Sequence, residues 1–145
     1  MRRSKPSPKD EGSASLEFIT AGFLLLVPLV YLILAMSVIQ GAALSVEGAS
    51  RQAARVYVQA PSKAAAASRA KVAVDFALAD FGLSSSSAKI TITCTPHPDK
   101  CLTRLNYVTV RVSASVALPL VPSVLNLKTP FTIPLTATST EQVSR

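Results

Sequence analysis

The chain has 145 residues, 49% of them hydrophobic, with a formal charge of +7, two cysteines, one histidine and no tryptophan. That length accommodates one domain, two at most. The basic residues form no stripe with interleaved aromatics, which a nucleic-acid-binding surface would require, so nucleic acid is not an expected partner.

Residues 1–12, MRRSKPSPKDEG, are charged and broken by prolines. Such a segment builds no core and reads as a disordered leader peptide. From Phe18 to Ile39 no charged residue occurs. About 22 residues make ~33 Å of helix, enough to cross a bilayer. About 14 of them are Leu, Ile, Val or Phe. At roughly 0.3–0.6 kcal/mol each, these favour insertion by about 6 kcal/mol. Pro28 removes one helical hydrogen bond and predicts a bend. A buried core helix of this length would need a larger domain around it than the remaining chain supplies. A cleaved secretory signal has a shorter apolar region, about 7–15 residues. The Arg2-Arg3 pair stands too far from the apolar run to make a strong twin-arginine export signal. Glu17 is the anomaly: a carboxylate at the lip of a membrane-length segment costs a few kcal/mol unless it is paired or used.

The helical pattern continues past the span. Ala42, Val46, Ala49, Ala53, Val56 and Ala60 recur at spacings of four and three, one stripe on a helix. Glu47 precedes Arg51 by four residues, the favourable orientation for a helical ion pair. Arg55 lies on the same face, and Pro61 ends the segment. The small residues of the stripe suit two uses, close packing on other membrane helices or packing on the chain's own downstream domain. The residues admit both.

A second helix is predicted over 62–83. Ser62 is its cap, and Gly82 is its stop. Val72, Phe76 and Ala79 line one side, with Val74, Leu78 and Phe81 on an adjoining one; Lys71 and Asp75 form a polar pair. The serine run 84–87 is a loop. The period then changes to two. Ile90 and Ile92 alternate with threonines, Val108 to Leu118 alternate with Thr, Arg and Ser, and Phe131 to Ala137 alternate with Thr and Pro. These are three half-buried strands. Pro134 lacks the ladder donor and marks the third as an edge. A proline-bounded connection, PLVPSVLNLKTP, joins the second to the third. The expected fold class is therefore α+β: a long N-terminal helix continuing into a small domain with a second helix and an antiparallel sheet of about three strands. The expected division is a leader over 1–12, the helix over 13–60 with its span at about 18–39, and an extracytoplasmic domain over 61–145.

Cys94 and Cys101 flank TPHPDK between the first two strands, as at a hairpin tip closed by a disulfide. Closing a loop of about eight residues stabilises by roughly 2.5 kcal/mol in the chain-entropy account. Disulfides persist outside the cytoplasm, which agrees with a membrane anchor. If the two cysteines face each other directly, the apolar parity of the strands clashes. Either a bulge near Asn106 or Tyr107 restores it, or the cysteines are not a regular ladder pair. A metal site from Cys94, His97, Asp99 and Cys101 is the alternative, although the spacing fits no common zinc pattern. No cofactor motif, phosphate-cradling glycine loop or carboxylate pair is present, and His97 alone lacks the partners of a catalytic base. An enzyme is not expected.

The residues around Glu17 resemble a known signal. A charged leader ends at Gly12, Ser13 follows, Glu17 stands five positions after the glycine, and an uncharged span begins at Phe18. This resembles the class III signal of type IV pilins and pseudopilins, in which a prepilin peptidase cuts after the glycine and glutamate occupies the fifth mature position. The Glu17-Phe18 pair, Gln40-Gly41 at the end of the span, and GASRQAAR over 48–55 are similar to the TadE/TadF-like minor pilins of the tight-adherence (Flp) system. The resemblance implies cleavage between Gly12 and Ser13, and pairing of Glu17 with the new α-amino group of a neighbouring subunit. The alternative leaves Glu17 solvated by headgroups near the positive end of the helix dipole. Ser13 replaces the aromatic or methionine of many mature pilins, and Gln40 stands where relatives often carry an acid. The implied partners are the membrane, other pilin subunits through the N-terminal helix, the prepilin peptidase and the pilus assembly platform. The implied place is the cytoplasmic membrane, single-pass with the C-terminal domain outside, extending to the cell surface or pilus. Basic residues in the leader agree with the positive-inside rule. The competing expectation is a single-span surface protein whose domain binds a ligand or envelope component without polymerising.

Overall fold

The structure is a computed structural model that describes residues 13–84, 86, 88–119 and 132–144. Gly12 with the rest of the leader, Phe131, and the prolyl connection from residue 120 lie outside the described residues. Five elements follow in order: α1 (Ser13–Val58), α2 (Lys63–Ala79), β1 (Lys89–Thr95), β2 (Tyr107–Ala117) and β3 (Thr132–Gln142). The expected α+β class is what the chain adopts. It divides into two units, one ending at Met36 and the other beginning at Ser37, so the second unit begins within α1 and not after it.

The first unit is the N-terminal part of α1. The helix continues through Pro28. Thr20 donates its hydroxyl to the Leu16 carbonyl at 2.7 Å, the usual back-bond of a helical threonine. Large apolar side chains stand uncovered all along it; Phe18 is 80% exposed. The most apolar stretch of α1 is long and apolar enough to cross a membrane, and only 6% of it is buried in the protein. A helix that is apolar and uncovered suits a lipid surrounding and association with a membrane.

The second unit is built on the C-terminal half of α1. Ala42, Val46, Ala49, Ala53 and Ala60 of the predicted stripe are buried, joined by Ser45, Ser50, Ala54 and Tyr57. Val56 is only half buried. The stripe thus packs within the chain's own domain. Its small side chains let α2 and the sheet approach closely, which large residues would prevent.

Ser62 caps α2 as expected, its hydroxyl accepting from the Ala65 amide at 3.3 Å. Gly82 follows the helix at φ +67°, a conformation that glycine adopts without strain. Of the two expected sides, the one with Val74 and Leu78 turns inward, without Phe81, and the one with Val72 and Phe76 turns out. Ala66, Ala70, Val74 and Leu78 are buried, while Val72, Phe76 and Phe81 are exposed. Spacing by four puts these residues on one side, small at the start of the helix (Ala66, Ala70) and larger toward its end (Val74, Leu78).

The sheet has order β1-β2-β3, antiparallel throughout. β2 is central and alternates cleanly, burying Val108, Val110, Val112, Ala114 and Val116. Pro134 sits on the edge strand β3, opposite Ser115, as its missing amide hydrogen requires. The outer face carries cross-strand hydroxyl pairs, Thr109 with Thr140 at 2.9 Å and Thr136 with Ser113 at 3.1 Å.

Candidate functional site

The sequence directs attention to two places, the start of α1 and the loop between β1 and β2. Glu17 and Phe18 lie in the second turn of the described helix, both exposed. Glu17 shares a shallow surface hollow with Leu16, Thr20, Ala21 and Leu24. It has no ion pair among the described residues. A carboxylate five residues into a helix lies past the turn where the dipole acts. Among the described residues Glu17 therefore has no side-chain partner. Further along α1, Glu47 and Arg51 form the predicted ion pair on an exposed surface, where such pairs contribute little.

The loop from Pro96 to Asn106 is closed by a Cys94–Cys101 disulfide, with the two Cα atoms 5.3 Å apart. The cysteines are not a ladder pair. Cys94 is opposite Val108, Ile92 opposite Val110 and Ile90 opposite Val112, so the apolar faces match and no bulge is needed. Cys101 instead lies in the loop and reaches back to the strand. The bond consumes both thiols, so the alternative metal set with His97 and Asp99 retains no thiolate. Among the described residues no three His, Cys, Asp or Glu side chains gather. His97 and Asp99 are exposed.

Asn106, expected only as a place for a bulge, organises this loop instead. Asn106 is buried, and its amide nitrogen donates to the carbonyls of His97 (3.0 Å), Lys100 (3.2 Å) and Cys101 (3.3 Å). Its side-chain oxygen accepts from the His97 amide at 3.1 Å. The C-terminal segment holds the other side: Val143, fully buried, exchanges backbone bonds of 2.8 Å with Leu105 and Asn106. Leu105 takes φ +65° to make the turn into β2. The signal that marks Asn106 is a polar residue directly before an alternating strand, where a side chain must satisfy loop backbone.

Tyr57 is 2% exposed, and burial raises its phenol above the ordinary tyrosine range. A polar cleft lies beside the end of α1, lined by Arg55, Val58, Gln59, Glu141, Gln142 and Ser144. Compared with known proteins, the chain matches no family model, no curated protein and no solved structure.

Proposed function

We propose that the chain is a minor pilin or pseudopilin of a tight-adherence (Flp) type IV pilus, acting by assembly and not by catalysis. A prepilin peptidase removes the leader after Gly12. Ser13 then carries a free α-amino group, and Glu17 pairs with that amine on a neighbouring subunit. The apolar part of α1 holds the protein in the cytoplasmic membrane, with the disulfide-closed domain outside.

The observation that carries this reading is Glu17 itself: an exposed carboxylate without a partner among the described residues, at the head of an uncovered apolar helix. An acid in that setting is costly unless a partner satisfies it. The small-residue stripe is occupied by the chain's own domain, which leaves the uncovered portion of α1 for contact with other subunits.

N-terminal analysis of the membrane-fraction protein tests the proposal. A chain beginning at Ser13 is expected. Substituting Gly12 blocks leader removal, and Glu17→Ala impairs incorporation while sparing cleavage. A mature protein that keeps Met1 in cells with an active peptidase supports the non-polymerising surface protein instead. Normal incorporation of the Glu17→Ala protein removes the pairing role.

A further inference from the structure

We propose that Leu44, Phe76 and Phe81 form an apolar foot that seats the domain in the headgroup layer of the bilayer; this rests on reading 18–39 as a span. All three are large and exposed, at 65%, 71% and 53%. They belong to the same end of the domain because the end of α2 packs against the stretch of α1 from Gly41 to Ser45. Phe81 lies against α1 at Gly41, its ring 3.4 Å from where a Cβ there would stand. Four residues further from the span on α1, the Ser45 hydroxyl meets the Ala77 carbonyl in the last turn of α2. Gly41 is two residues past Ile39, about 3 Å along the helix, and Ser45 is about 9 Å past it. A headgroup layer is roughly 5–8 Å deep on each side of the hydrocarbon. Phe81 stands inside that layer, and Leu44 and Phe76 stand at its outer margin.

The occupant is lipid because Phe81 packs at Gly41, two residues past the apolar run of α1, and Leu44 stands five residues past it. Any other partner would have to enter the layer that headgroups fill. Apolar side chains at this depth bury themselves at the headgroup–acyl boundary. Asp80, exposed beside Phe81, and half-buried Asp75 put negative charge at the foot. The contact therefore draws on apolar burial and not on attraction to anionic lipid.

The chain contains no tryptophan, so one introduced indole reports alone. Full-length Leu25→Trp, Phe81→Trp and Tyr107→Trp proteins are placed in phosphatidylcholine vesicles whose acyl chains carry bromine near the headgroup or near the chain terminus. Tyr107 is the distant control. Its hydroxyl accepts from Gln142, which lines the cleft with Arg55 and Gln59, and Arg55 is about 24 Å along α1 past Ile39. The deep bromines should quench Leu25→Trp, the shallow ones Phe81→Trp, and neither Tyr107→Trp; added salt should leave the Phe81→Trp quenching unchanged. Phe76→Trp repeats the shallow result with an indole on the outside of α2, and an intact disulfide on a non-reducing gel confirms folding. If Leu25→Trp is quenched while both foot indoles emit as in water, the foot is refuted and the span stands. If Leu25→Trp escapes quenching, the span fails and the foot with it. Blue-shifted foot emission untouched by bromine means a protein covers these residues, and equal quenching of Tyr107→Trp means the whole domain lies on the membrane; either overturns the proposal.

Discussion

The hydroxyl of Ser45 in α1 donates to the carbonyl of Ala77 in the last turn of α2, across 2.9 Å and 32 positions of sequence. The backbone amides that follow α2 go elsewhere, to the carbonyls of Phe76, Leu78 and Ala79. Ala77 has one of the carbonyls that every helix C-terminus leaves over, and another helix satisfies it. Ser45→Ala removes the donor while the acceptor stays at a packed interface. A loss of about 1–2 kcal/mol is expected, read by chemical denaturation of the full chain in detergent. Amide exchange should also quicken at the end of α2 before it does at its start. Uniform change along α2 would show that Ser45 matters only as packing.

The loop after β1 is held twice, by the disulfide and by Asn106. Asn106→Asp replaces a donor to three carbonyls with an acceptor, and about 3 kcal/mol of stability should disappear. Removing the disulfide with paired alanines should cost about 2.5 kcal/mol by the chain-entropy account. Both act on the same loop, so the combined protein should lose less than the sum. Strict additivity in a double-mutant cycle would separate the two restraints.

The two faces of α2 should respond oppositely to truncation. Leu78 is fully buried in the core that includes Val74 and Val110. Leu78→Ala is expected to cost about 2–5 kcal/mol through lost burial and a residual cavity. Phe76→Ala, on the exposed side, should stay within about 0.5 kcal/mol in detergent. Equal losses would mean that the outer side of α2 contributes to the fold.

Tyr57 gives the domain an alkaline limb. Burial raises its folded value above the ordinary 10.0. The unfolded chain therefore releases its phenolic proton first as pH rises. The associated stability is complete below about pH 10 and disappears as pH climbs through the folded value. Tyr57→Phe has no such proton, so its unfolding free energy should fall less steeply between about pH 9 and pH 11. Parallel profiles for the two proteins would show that this phenol ionises freely in the fold.

Features that depend on neighbours along the chain can be read from the order of residues. The uncharged run after Glu17, the Ser62 cap, the Gly82 stop, the period-two strands and the edge position of Pro134 are all local matters of spacing, dihedral preference and missing donors. Nearness of Cys94 and Cys101 was legible for the same reason. Tertiary structure alone decided which of two apolar sides of α2 turns inward, because the helical spacing offers both Val74 with Leu78 and Val72 with Phe76, and only packing buries the first. It also decided the register, since Cys101 leaves the ladder and lets Cys94 face Val108. The contacts of Ser45 with Ala77 and of Asn106 and Leu105 with Val143 join residues 32 to 38 positions apart. A hydrogen bond of that reach is fixed by where whole elements pack, and no periodicity within either segment records it.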